Sequence, residues 1–220
     1  AACTFLDNES VRGGAMQIGG DFAISACTFR DNVCEVTPGD GSSGLGGALK
    51  CSGSGTITDC EFMRNTGGLG SAIFGRADIA LTGCTFAENV STTASTVYWL
   101  GDVDITAENC AFTDNAAVNG GVFEADAAAR VQFNNCTLTG NTASRWAGAG
   151  WVTDGAHVTL TACTITGNTA ALGGAFFLDS FASERSVLAL LASTIVGNTA
   201  SDTGGAIFVG VDSDLAASGV

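Results

Sequence analysis

The stretch "CTITGNTA" at residues 163–170 runs a short alternating apolar piece into Gly-Asn. Close variants recur along the chain: "CTFLDN" at 3–8, "CTFRDN" at 27–32, "CEFMRN" at 60–65, "CTFAEN" at 84–89, "CAFTDN" at 110–115 and "CTLTGN" at 136–141. An eighth copy, "STIVGN" at 193–198, has Ser in place of Cys. The starts lie 24, 33, 24, 26, 26, 27 and 30 residues apart. A period in that range marks a solenoid, because one unit cannot bury its apolar side until the next is stacked on it.

Each unit holds three short apolar pieces. One precedes the Cys, as in "FAI" 22–24, "IAL" 79–81 and "VTL" 158–160. The second is the Cys-x-Phe piece, and the third follows a Gly-rich turn, as in "GGALKC" 46–51, "GGAFFL" 173–178 and "GGAIFV" 204–209. Each alternates with period two, as strands do. Three strands per turn predict an all-β chain: a three-sheet parallel β-helix of about eight coils, one segment spanning 1–220. "LTACTITGN" 160–168 also fits a leucine-rich signature, but no amphipathic helical run accompanies it.

Position by position the chemistry agrees. Phe5, Phe29, Phe62, Phe86 and Phe112 are expected to stack inward, continued by Leu138, Ile165 and Ile195. The Asn that closes each second strand, from Asn8 to Asn198, suits a left-handed corner, and its amide can bond coil to coil. Seven of the nine Cys share one repeat position, which Ser193 also fills. These are expected to be stacked, unbridged thiols acting as small apolar groups. Cys34 and Cys51 flank the widest gap between repeats and are the candidate disulfide. Residues 33–46, with Pro38 and several Gly, are expected to loop out of the coil. The chain opens and closes inside repeats, which predicts a piece of a longer array.

The paired FxxN and GGA[ILM] motifs resemble those of polymorphic outer-membrane proteins, the autotransporter adhesins of chlamydiae, and of related right-handed β-helix repeat proteins. That resemblance implies a right-handed coil and a secreted passenger or stalk used for adhesion, hence an extracellular or cell-surface location.

With 22 acidic against 8 basic residues the net charge is −14, which repels nucleic-acid phosphates. No run approaches the roughly 18 apolar residues of a membrane span. Several polysaccharide-degrading enzymes share the β-helix, so catalysis needs a separate argument. Lys50 and seven Arg are scattered singly, His157 stands alone in a turn, and no nucleophile, metalloprotease or phosphate-loop motif occurs. One constellation remains. Asp126, Asp154 and Asp179 sit three residues past the expected inward residue of consecutive third strands, and in register they would stack roughly 4.8 Å apart. Such a row can hold a Ca²⁺-type cation, raise one carboxyl's pKa for polysaccharide hydrolysis, or reflect the fitness of Asp for turns. Nothing else asks for a cofactor.

In the third strand Met16, Leu49, Ile73, Tyr98, Phe123, Trp151, Phe176 and Ile207 are expected inside. Gln17, Lys50, Phe74, Trp99, Glu124, Val152, Phe177 and Phe208 are then outside, because the charged members cannot be buried cheaply. Phe74, Trp99, Val152, Phe177 and Phe208 would form an apolar outer face of the kind that marks a contact surface. The expected function is therefore an extracellular structural or adhesive solenoid, a stalk, filament component or adhesin passenger. It would bind a protein partner, another copy or a carbohydrate through that face. The alternative is a carbohydrate-active β-helix enzyme using the stacked Asp residues.

Overall fold

The computed structural model describes residues 2–40, 44–180 and 184–220; the described residues contain no helix. Every strand pairing is parallel, and four eight-stranded sheets run along the coil. A pre-cysteine sheet runs from Phe22–Ser25 to Ser213–Ser218, and a phenylalanine sheet from Thr4–Leu6 to Thr194–Val196. A corner sheet runs from Glu9–Ser10 to Thr199–Thr203, and a glycine sheet from Met16–Ile18 to Ile207–Val209.

The corner sheet corrects the three-sheet expectation. Its early strands, such as Thr66–Gly67 and Ala116–Ala117, are two residues long. That is too short for alternation to register in a sequence.

The phenylalanine ladder forms as expected. Phe5, Phe29, Phe62, Phe86 and Phe112 stack at 4.7–4.8 Å with nearly parallel rings. Phe133 meets Phe112 edge-on, 5.9 Å away, and ties the pre-cysteine sheet to the ladder.

The corners are built differently from the expectation. The left-handed residue is the one before each Asn: Asp7, Asp31, Arg64, Glu88 and Asp114, then Gly140, Gly167 and Gly197. The Asn itself turns inward. Asn89, for example, donates from Nδ2 to the Phe62 carbonyl at 2.9 Å and to Asn115 Oδ1 at 2.9 Å. Its Oδ1 accepts from Asn65 N at 3.0 Å. The amides so form one line from Asn8 to Asn198.

The cysteine row also does more than fill space. Cys110 N donates to Cys136 Sγ at 3.4 Å and Cys136 N to Cys163 Sγ at 3.4 Å. Cys163 N donates to Ser193 Oγ at 3.1 Å, which explains why Ser fits the slot. Among the described residues no cysteine forms a disulfide. Cys34 and Cys51 are therefore not the disulfide expected of them. They lie in different sheets, and their Sγ atoms donate to the carbonyls of Leu45 and Phe74 respectively.

The excursion after Asn32 is shorter than 33–46. Val33–Cys34 is a corner strand paired with Glu9–Ser10, and Leu45 is bridged to Arg12 and Leu69. Residues 41–43 of the expected loop lie outside the described residues.

In the glycine sheet the frame differs at two coils. Ile73 pairs with Val97 and Phe123 with Gly150, so Tyr98 and Trp151 face outward and Trp99 and Val152 inward. Volume explains both. A Cβ on Gly150 would lie 2.1 Å from the Phe123 ring, which already fills that place, and the Trp99 indole lies over Gly75 in the same way.

Candidate functional site on the outer face of the glycine sheet

The outward row of this sheet, in register, is Gln17, Lys50, Phe74, Tyr98, Glu124, Trp151, Phe177 and Phe208. The chain covers much of this row itself. Residues four or five positions earlier, next to the turn into the sheet, fold back over it. Leu45, Leu69 and Ala94 close a small apolar cluster on Phe74 and Tyr98. Trp146 lies 6.1 Å from the Trp151 ring and stacks on Phe177 at 5.0 Å, with the Arg145 guanidinium 4.4 Å above it. Phe177 stacks in turn on Phe208 at 4.9 Å.

The expected contact surface is thereby revised. Trp99 and Val152 are core residues with no exposure, because their strands sit one place away from the expected frame. Phe74 and Phe177 do point outward but are buried under the chain's own covering residues. Phe208, in the last coil, stays half-buried.

The carboxylate row is revised too. Asp126 pairs with Leu100, and Val152 pairs with Ala125 and Leu178, so Thr153 and not Asp154 stands between Asp126 and Asp179. Asp154 has moved into the following turn in a left-handed conformation. Asp179 Oδ1 accepts from Ser180 N at 3.0 Å. Among the described residues no group of three or more His, Cys, Asp or Glu is placed to hold a metal ion.

A different carboxyl is the unusual one. Glu124 is 5% exposed and is the only charged side chain among the buried described residues. It stands between Tyr98 and Trp151, and Asn119 Nδ2 donates to its Oε2 at 3.2 Å. Burial pushes its pKa up to about 8; Asn119 opposes that shift and Asp126 adds to it. Half-buried Asp126 is raised as well, by burial first and then by Asp154, while the Tyr98 hydroxyl reaches its Oδ2 at 3.5 Å. Both carboxyls are thus pushed the same way, up, by their burial. Period-two parity alone gives no sign of Glu124's burial. The available signal is the matched residue five places earlier: Asn119 with Glu124, Trp146 with Trp151, Leu69 with Phe74.

Elsewhere the pre-cysteine sheet carries an open groove of about 390 Å³ lined by Asp21, Asp78, Asp104, Thr56, Thr106 and Ile79, among others. Arg130, one coil further on, contacts Asp102 at 2.8 Å and Asp104 at 3.5 Å. His157 is exposed next to Arg130 in the same row. No helix among the described residues is long and apolar enough to cross a membrane.

Eight parallel coils on internal Phe and Asn ladders, with one outer face closed by the chain itself, define a parallel β-solenoid. The family described as right handed beta helix region matches residues 2–165 and again 94–218, and the chain belongs to it. No curated protein and no solved structure matches the chain.

Proposed function

We propose that this chain is a structural or adhesive solenoid module of an extracellular or cell-surface protein, acting through its lateral surface. The observation that carries the reading is the self-covered glycine sheet. With Phe74, Tyr98, Glu124 and Phe177 buried under the chain's own side chains, exposed ordered arrays remain on other sheets, one of them the phenylalanine sheet. There Thr137, Thr164 and Thr194 follow one another in register, all exposed. A regular hydroxyl-bearing face suits a protein or glycan surface, because each hydroxyl can both donate and accept. The resemblance of the FxxN and GGA[ILM] motifs to those of polymorphic outer-membrane adhesins supports the location and the adhesive role.

Beads coated with the chain should be retained on immobilised matrix glycoproteins or cultured cells at least tenfold above bare beads. Thr137→Glu with Thr164→Glu should reduce retention to the bare-bead level. No retention by the folded wild-type chain, or full retention by the double variant, would contradict the reading.

A second reading, a carbohydrate-active enzyme, is favoured by one arrangement: the buried Glu124 carboxyl on the same strand face as Asp126, two residues on. It requires the covering residues to move before any saccharide reaches the pair.

A further inference from the structure

We propose that Asn119 and Glu124 form a proton-dependent latch, which holds the covering segment closed over the aromatic row of the glycine sheet. Along the covered row Glu124 is the one carboxyl, flanked by Tyr98 and Trp151, and its polar contact to the cover is Asn119. The cover is held to itself at the same place: Asn119 N donates to Ala94 O, Ala147 N to Asn119 O, Gly121 N to Ala147 O and Arg145 N to Val118 O. A neutral Glu124 can remain under this cover. An ionised one must be solvated, and the water it needs can reach it only if the segment around Asn119 and Trp146 lifts.

No neighbouring charge offers a substitute for that water. From its own strand Glu124 is faced by Asp126, and from the preceding coil by Tyr98, on which Arg76 acts. From the following coil come Trp151 and, beyond it, Asp154, which acts on Asp126. The cover presents Asn119 and Trp146, with the Arg145 guanidinium 4.4 Å from the centre of the indole and not among the groups that shift Glu124. The nearest formal charge is thus another carboxyl, which disfavours ionisation further.

The direction with pH follows. With the cover closed the carboxyl titrates near 8, raised from an ordinary 4.5. With the cover open it returns to the ordinary range. Below that range both states are protonated and the latch has its full strength. As pH rises towards 8 the open state alone loses its proton, so the opening equilibrium grows about tenfold per pH unit. Above 8 both states are ionised and the effect levels off. Opening exposes Tyr98, Trp151 and Phe177, an aromatic strip suited to contact with another surface.

Hydrogen exchange reads this directly. After correction for intrinsic exchange, protection of the Asn119, Gly121, Arg145 and Ala147 amides should fall about tenfold per pH unit between pH 5.5 and 7.5. The Ala111 and Thr137 amides of the phenylalanine sheet should stay constant. Glu124→Gln should abolish the slope, whereas Asn119→Ala should lower protection and keep it. An unchanged slope in Glu124→Gln, or equal slopes in both amide sets, would overturn the latch. Should Glu124→Gln fail to fold, the wild-type carboxyl can be followed by ¹³C NMR. A midpoint above 7 supports the proposal, and one in the ordinary carboxylate range overturns it.

Discussion

Asn115→Ala is expected to destabilise the chain by about 2–6 kcal/mol, from roughly 1–3 kcal/mol for each of two buried polar groups that lose a hydrogen bond. Asn115 is fully buried at the centre of the amide line. Its Nδ2 donates to Phe86 O and to Asn141 Oδ1, both at 2.9 Å. Its Oδ1 accepts from Asn89 N at 3.0 Å and from Asn89 Nδ2 at 2.9 Å. Alanine takes the acceptor away from Asn89 N and a donor away from the Phe86 carbonyl, in a place water cannot reach, while Asn89 Nδ2 keeps its bond to the Phe62 carbonyl. Domains are stable by only about 5–15 kcal/mol in total, so the loss is a large fraction of what holds the coil. Asn8→Ala is the control, since Asn8 is exposed whereas Asn115 is fully buried. The urea midpoint should drop steeply for Asn115→Ala and little for Asn8→Ala. Equal midpoints would mean that the amide line contributes nothing specific.

Phe86→Ala should cost about 3–5 kcal/mol, the usual range for emptying a buried aromatic site. Phe86 has no exposed surface, and its ring lies 4.8 Å from Phe62 and 4.7 Å from Phe112. Truncation opens a cavity between two rings that the backbone hydrogen bonds of neighbouring coils keep apart, so collapse cannot relieve it. It also removes two stacking contacts, each worth about 0.5–1.5 kcal/mol beyond burial. Phe86→Leu should cost far less, because Leu138 already occupies the same ladder position next to Phe112. Thermal unfolding of the two variants gives the comparison. If Leu and Ala are equally damaging, the ring stack and not the filled volume is what matters.

The parts of this fold that sequence made plain are those where one residue type repeats at one position. Phe29, Phe62 and Phe86 announce an inward ladder, and Asn32, Asn65 and Asn89 a corner. What stayed hidden follows from the same logic. The corner sheet is written in pairs such as Val90–Ser91 and Thr142–Ala143, too short to show a period. The left-handed role falls on Asp31, Arg64 and Glu88, chemically dissimilar residues that share only a backbone angle. The frame slipped at Tyr98 and Trp151 because no Gly-Gly-Ala precedes them. Ser95-Thr96-Val97 and Gly148-Ala149-Gly150 occupy those places instead.

The carboxyls were legible as residues but not as a site. Asp126, Asp154 and Asp179 fall at equal counts from the expected inward residues, yet the same slip carries Asp154 out of the row and brings Thr153 in. Glu124 looks like a solvated outward charge by parity. Its burial depends on a segment folding back from five residues earlier, a contact that alternation within one strand does not encode.

On the proposed function, the solenoid acts by its surface and not by turnover. Incubation of the chain with a panel of acidic and neutral polysaccharides, followed by assay of new reducing ends, tests that most directly. The prediction is a yield equal to the protein-free blank, unchanged by Glu124→Gln or Asp126→Asn. Steady release of new ends by the wild-type chain, abolished by either substitution, would contradict it and make the covered carboxyls an active site.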